Sequence, residues 1–393
     1  MRLDILRAWL PAALALTVAG CSAIDFYWQG MTGQMNLIAG ARPITEVLET
    51  TDDPQLKKRL LQVQGIRAFA TRELGLPDNR SYTRYTEIGR PYVVWNVVAT
   101  PELSLTPRQW CFAVVGCVSY RGYFSEDQAK LEAARLVSLG DDVSLGGVSA
   151  YSTLGWFDDP VLSTFVRYRE TELARLLFHE LAHQVVYVKD DTAFNESFAV
   201  AVEEEGMRRW LKAQAGRPDA AQLAEDVNRS RRLKKEFRAI VSATRDRLRA
   251  LYASRLPTAE KRARKAAIFA EMRLQYEHAK AGWGGLAAYD RWFHRDANNA
   301  AIAGIGLYAD LVPQFSALIA ANRFDLERFY ADVKTLADLP KERRAIRLAE
   351  LARPATIAAT DPTAAVGRGA GPGDAPETPG LAGTGGIANI LVP

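Results

Sequence analysis

The sequence predicts an α+β fold that is predominantly helical: a small N-terminal sheet, then a pair of helices carrying a metal-ligand pattern, then a long helical region. Three observations predict it. Extended, β-branched and aromatic stretches are confined to the segment from about residue 80 to 151, apolar residues at three- and four-residue spacing dominate from about 158 to 353, and short polar or Gly/Pro breaks divide that second segment. With 48% hydrophobic and 24% charged residues among 393, the composition is that of a chain able to bury a sizeable core. Its 50 basic against 46 acidic residues leave a net charge of +4, too even a balance to point to nucleic acid.

Taken in order, residues 1–20 read as an export signal, with Arg2 and Arg7 ahead of an apolar stretch Ala8 to Ala19 too short for a membrane span. Val18-Ala19-Gly20-Cys21 resembles the bacterial lipobox. That resemblance implies a lipidated Cys21 and a membrane anchor, and Ser22 after the cysteine favours the outer membrane with the body facing the periplasm. Residues 21–35 are assigned to a membrane-proximal tether, although Phe26, Tyr27 and Trp28 also suit the start of a folded body. The domain proper is expected over 36–353.

Leu48, Leu56, Leu60, Leu61, Val63 and Ile66 place helix between Pro43 and Glu73, with Asp52-Asp53-Pro54 as a start signal. Tyr82 to Ala99 reads as two strands joined at Gly89-Arg90-Pro91. A further strand is expected over Cys117–Phe124, a helix over Glu126–Leu139, and a strand over Val143–Tyr151 containing Gly146-Gly147. Cys111 and Cys117 form a close pair with no second cysteine pair or histidine to complete a metal set, so in an oxidising compartment they are expected to form a disulfide.

Asp159 followed by Pro160 predicts a helix start. From there the chain is expected to be helical almost to Phe329, with breaks at Lys189–Thr192, Ala215–Pro218 and Gly282–Gly285. Residues Glu204 to Gln275 read as a charged helical hairpin breaking near Leu256-Pro257. Its basic runs, such as Arg231-Arg232 and Lys234-Lys235, are interleaved with acids and read as a solvated arm. The tail 354–393, rich in Pro, Gly, Ala and Thr, is expected to be disordered.

The chemistry lies in His179-Glu180-Leu181-Ala182-His183. Residues four apart share a helix face, so His179 and His183 can offer two imidazoles to one ion, while Glu180, one position on, is placed to handle a water. Two of the chain's four histidines occupy these five residues. A catalytic zinc takes three protein ligands and leaves a position open. The polar turn at Lys189 to Thr192, followed by a restarted helix, would fold Glu196 back as the third ligand of a single Zn2+.

His-Glu-x-x-His followed by Asn195-Glu196-x-x-Ala199 resembles the gluzincin metallopeptidases. The fuller pattern, with Trp110-Cys111, Tyr120-Arg121-Gly122-Tyr123-Phe124, Ser152 to Trp156 and Asn298-Asn299-Ala300, is similar to the putative zinc aminopeptidase family of bacterial lipoproteins. The resemblance implies a zincin-like fold and a peptide substrate cut at its free N-terminus, with Glu180 as the base. It also implies an oxyanion donor in the helical region after Asn298, assigned to Tyr308, with Tyr289 and Tyr151 as alternatives. Gly147 is placed like the glycine of the substrate strand that precedes the metal helix.

Two departures stand out: the loop between the ligand helices is short, and Val200 stands where an acid partner of a histidine is usual. Glu203, on nearly the same face as Glu196, is assigned to binding the substrate amine, with the partner of a histidine and an exposed charge as the other readings. The competing readings are an endopeptidase with the same chemistry and a non-catalytic binding factor of the envelope.

Overall fold

The computed structural model describes residues 26–112, 116–150, 152–306 and 311–352. Helix α1 occupies residues 26–39, and strand β1 (Arg42–Pro43), α2 (Ile44–Thr50) and α3 (Pro54–Leu74) follow. The α3 start behaves as its sequence predicts, since the Asp53 carboxylate accepts the backbone N–H of Gln55 at 2.8 Å and of Leu56 at 3.0 Å. Next come β2 (Arg84–Thr86), β3 (Val94–Pro101), β4 (Trp110–Phe112), β5 (Gly116–Val118), β6 (Arg121–Tyr123), α4 (Glu126–Ser138), β7 (Asp141–Val148) and β8 (Val161–Leu162). The remaining elements are α5 (Glu170–Ala182), α6 (Thr192–Ala213), α7 (Ala220–Ala253), α8 (Thr258–Gly282), a π-helical turn (Trp292–Asp296), α9 (Asn299–Gly306), α10 (Val312–Ala321), α11 (Leu326–Ala337) and α12 (Lys341–Leu351).

The strands form three small sheets. One runs β6-β3-β7, antiparallel, with Val94 opposite Val148 and Asn96 opposite both Gly146 and Gly122. Trp95, Val97 and Ala99 of β3 pack on Ala129 and Leu136 of α4. A second sheet, β1-β2-β8, pairs β2 antiparallel with β1 and parallel with β8. The third is the β4-β5 hairpin, whose paired residues Cys111 and Cys117 are joined by a disulfide.

The main core gathers α2, α3, α5, α6 and α10 to α12 around residues such as Leu60, Phe178, Phe198, Phe315 and Phe329. Gly206 lets α6 cross closely: a Cβ there would come within 2.8 Å of Leu74 and 2.9 Å of Phe178. A separate apolar cluster, with Phe237, Met272, Tyr276 and Phe293, holds the α7-α8 hairpin to the π-helical turn and α9.

Three sequence expectations are corrected, and one is refined. The two strands read between Tyr82 and Ala99 are β2 and β3, and they enter different sheets. Arg90 directs the crossing by donating to the carbonyls of Phe124 and of Val93, the latter at 2.9 Å. The strand expected over Cys117–Phe124 is likewise split, β5 pairing only with β4 and β6 with β3. Asp159 starts no helix: its buried carboxylate turns back to accept Thr153 N–H at 2.9 Å and Thr153 Oγ1 at 2.7 Å. Val161–Leu162 then pairs with β2, and helix resumes only at Glu170.

The boundary of the tether also moves, since residues 26–39 belong to the folded body. Phe124 N–H donates to Gln29 Oε1 at 2.9 Å, Gly33 leaves room for the Phe124 ring, and Leu37 enters the main core.

Candidate metal centre

Helix α5 is fixed from one side by Leu173, Ala174, Leu177, Phe178 and Leu181, all buried. Each large apolar side chain so buried contributes roughly 1.5–3 kcal/mol. His179 and His183 therefore project from a rigid element, with His183 as its C-terminal cap. The turn into α6 is clamped at several points. Asn195 binds Val188 twice, accepting its N–H at 2.8 Å and donating to its carbonyl at 2.7 Å. Asp190, in a left-handed conformation with φ 64°, accepts the Cys117 N–H at 2.6 Å, so the disulfide hairpin rests on this turn. Gly116, itself at φ 78°, gives the Asp190 carboxylate room that a Cβ would fill. Asp191 caps α6 and pairs with Arg344 of α12.

The result brings four sequence-predicted residues together. His179 Nε2 lies 3.2 Å from His183 Nε2 and 3.4 Å from Glu196 Oε2, and His183 Nε2 lies 3.9 Å from Glu196 Oε1. Ligand atoms about 2.0–2.1 Å from one tetrahedral ion sit about 3.3 Å apart. Residues His179, His183 and Glu196 thus match the donor set and the spacing of a three-ligand site, and all three are buried. Glu180 is fully buried beside them, and neither of its oxygens has a hydrogen-bond partner among the described residues. Glu196 Oε2 and His183 Nδ1 also lack one. Buried acceptors and facing ring nitrogens left in this state are costly unless a cation or proton completes them.

Glu203 settles which nitrogen of His179 is free. Its Oε2 lies 3.2 Å from His179 Nδ1 and its Oε1 lies 3.2 Å from Arg175 Nε. Burial raises the proton affinity of Glu203, but Arg175, His179 and Lys234 outweigh it and hold the carboxyl down at about 2. An ionised carboxylate only accepts, so His179 Nδ1 carries a proton, and Nε2 is the nitrogen that faces Glu196 and His183. Of the roles read for Glu203, its geometry fits the partner of His179, because it lies on Nδ1, behind the ring and away from the ligand face. Its oxygens are occupied by His179 and Arg175.

The electrostatics are those of a site with negative charge in excess. Burial opposes charge on His179, yet Glu196 and Glu203 raise its proton affinity to about 10. A metal cation would take the place of that proton. Burial, helped by the His179 charge, keeps His183 neutral by lowering its proton affinity. Burial lifts Glu180 to about 8, with His179 pulling the other way.

Other predicted residues lie elsewhere. Gly147 sits in the edge strand β7 opposite Trp95, and the space of its missing side chain is taken by the Tyr92 ring, 2.2 Å from where a Cβ would be. Tyr289 stacks on Phe237 at 4.3 Å inside the α7-α8 cluster. Tyr308, Tyr151 and Cys21 lie outside the described residues.

Sequence reasoning gave no role to Tyr120, buried in the β5-β6 link. Burial raises its hydroxyl well above the usual range, and the charges of Tyr187, Glu196 and Glu180 add to the effect, which puts it within electrostatic reach of the site. The nearby Trp-Cys and Tyr-Arg-Gly-Tyr-Phe strings were the available signal. In a second cluster Glu277 and His294 are exposed and Asp290 is half-buried, and Lys280 already neutralises Asp290 at 2.7 Å.

A sequence profile of the family described as "Putative aminopeptidase" matches residues 25–348. No curated protein and no solved structure matches the chain.

Proposed function

The chain belongs to the putative aminopeptidase family, and on that premise we propose that it is a zinc-dependent, zincin-like peptidase of gluzincin type, acting on free N-termini in the bacterial envelope. The observation that carries the zinc reading is the convergence of two ring nitrogens and one carboxylate, 3.2 to 3.9 Å apart, on buried helices. His179, His183 and Glu196 would hold the ion. Zinc supplies Lewis acidity there, polarising a carbonyl and making water acidic enough to attack near neutral pH.

The protein's own residues do the rest. Glu180, buried and uncommitted, takes a proton from the attacking water as its oxygen adds to the carbonyl carbon. It returns that proton to the nitrogen as the C–N bond breaks, yielding a free carboxylate and amine. A neutral tyrosine hydroxyl is the kind of donor that steadies an oxyanion. Tyr120, within electrostatic reach of the site, is a candidate for that donor, alongside the Tyr308 that the resemblance implies. Glu203 orients His179, so preference for a free amine rests on the family relation and on carboxylates other than Glu203.

Envelope placement follows from the lipobox at Cys21 and is consistent with a disulfide between Cys111 and Cys117. The test is zinc content together with cleavage of a short peptide and its N-acetylated form. Preference for the free amine supports an aminopeptidase, equal rates mean an endopeptidase, and zinc-replete protein that cleaves neither would leave a binding factor.

A further inference from the structure

Helix α1 has two unlike faces. Inward, Phe26 meets Tyr123 edge to face at 5.5 Å, Gln29 accepts from Phe124 N–H, and Leu37 is buried in the main core. Outward, Tyr27, Trp28, Met31, Thr32, Met35, Asn36 and Ala39 form two adjacent rows of the helix, all exposed. Trp28 is 66% exposed, Met31 55%, Met35 54% and Tyr27 40%. From Phe26 to Ala41 the sequence contains no Asp, Glu, Lys or Arg, in a chain that is 24% charged. The water-facing sides of helices are normally their charged sides. The exposed face of α7, with Arg232, Lys235 and Arg249, shows that contrast within this protein.

We propose that this face of α1 lies in the headgroup region of a lipid bilayer and fixes how the peptidase body is held against the membrane. Tryptophan and tyrosine favour that region because their rings are apolar and their N–H and O–H groups find water or headgroups, and methionine adds flexible apolar area. No described helix is long and apolar enough to cross a membrane, so the contact is one of lying on the surface. The proposal rests on the lipoprotein reading, which supplies the proximity. Only residues 22–25 separate Cys21 from Phe26, so an acylated Cys21 lies within about 17 Å of the start of α1 even fully extended. A lipid on Cys21 would hold the protein at the surface but leave its orientation free, and a second contact of this kind fixes that orientation.

The experiment uses the full chain with Met31→Cys carrying a nitroxide, and Leu274→Cys as a control on an exposed position of α8. The introduced thiol is the free one, since Cys111 and Cys117 are bridged and Cys21 is the acylation site. Protein is reconstituted with phosphatidylethanolamine/phosphatidylglycerol vesicles, and collision with oxygen is compared with collision with a nickel chelate. Intact mass reports acylation of Cys21 in the same sample.

We expect the oxygen-to-nickel ratio at position 31 to be several-fold above that at 274. A water-like ratio at 31 in acylated protein overturns the proposal and leaves the anchor intact. Dipolar broadening between spins at 31 also overturns it, in favour of a second copy on this face. If Cys21 is not acylated, the lipoprotein reading fails. The ratio is then read in protein that also carries Cys21→Ser, where the introduced thiol is again the free one: a raised value still supports the face as a bilayer contact, and a water-like one rejects it.

Discussion

Replacing Glu203 with Gln keeps the side-chain size and removes one charge from the middle of a buried row. That charge faces His179 Nδ1 and Arg175 Nε, each at 3.2 Å. At an effective dielectric of about 20, a pair at that separation attracts by on the order of 5 kcal/mol before desolvation. Losing one partner of a buried pair typically costs about 3–5 kcal/mol, because the other charge stays behind unpaired. Here Arg175 stays behind, and with it Lys234, whose own proton affinity burial and Arg175 already lower to about 8.

Two separable effects are expected. Zinc affinity should fall roughly 10- to 100-fold, the usual result of removing the partner of a metal-binding histidine. Thermal stability should drop by several degrees in both metal-loaded and metal-free protein. Adding Arg175→Gln to the variant should recover much of the stability by removing the stranded charge, and should leave zinc affinity low. The assays are competitive chelator titration and thermal melts of the wild type, both single variants and the double. Wild-type zinc affinity in Glu203→Gln would refute the assignment of Glu203 as the group that orients His179.

Glu180→Gln should retain zinc and the melting profile and lose at least about a hundredfold in turnover, because it removes only the base. Near-normal turnover would exclude Glu180 from that role. His183→Ala should lose the ion on metal analysis, and full occupancy would disprove the ligand set. In the metal-free site His179 is protonated below about pH 10, so zinc uptake should release a proton and affinity should rise about tenfold per pH unit on going up through neutral. Calorimetry in buffers of different ionisation enthalpy measures that proton directly. Tyr120→Phe should lower kcat about tenfold or more with zinc content unchanged if its hydroxyl steadies the oxyanion, and an unaltered kcat would return that role to Tyr308.

The parts legible in the sequence are those carried by local spacing. The four-position step from His179 to His183 defines one helix face whatever surrounds it, and Asp53-Pro54 starts α3 because its hydrogen bonds reach only to the next turn. The same dipeptide logic failed at Asp159-Pro160, where Thr153, six residues upstream, captured the carboxylate. Strand character between Tyr82 and Ala99 was visible, but pairing is a matter of partners distant in sequence, and β2 found β8 some 75 residues on, as in Tyr85 opposite Val161. Glu203 was placed on the correct helix face by its period. Its choice between ligand support and substrate contact depended on Arg175 and Lys234, which sit on two other helices.

The clasp of Arg344 on Asp191 has a consequence for how the chain comes to life. Arg344 is buried, donates to the carbonyls of Leu336 at 3.2 Å and Leu339 at 2.7 Å, and ends on the carboxylate that caps α6. The turn that aims Glu196 is therefore closed by a residue made about 150 positions later. A ribosome releasing this protein early, or a protease nicking it before α12, yields a chain with every ligand present and the Asp191 carboxylate without its guanidinium partner. The clamp on the turn that carries Glu196 thus comes from α12, the last described helix, and cannot form before that helix has been made.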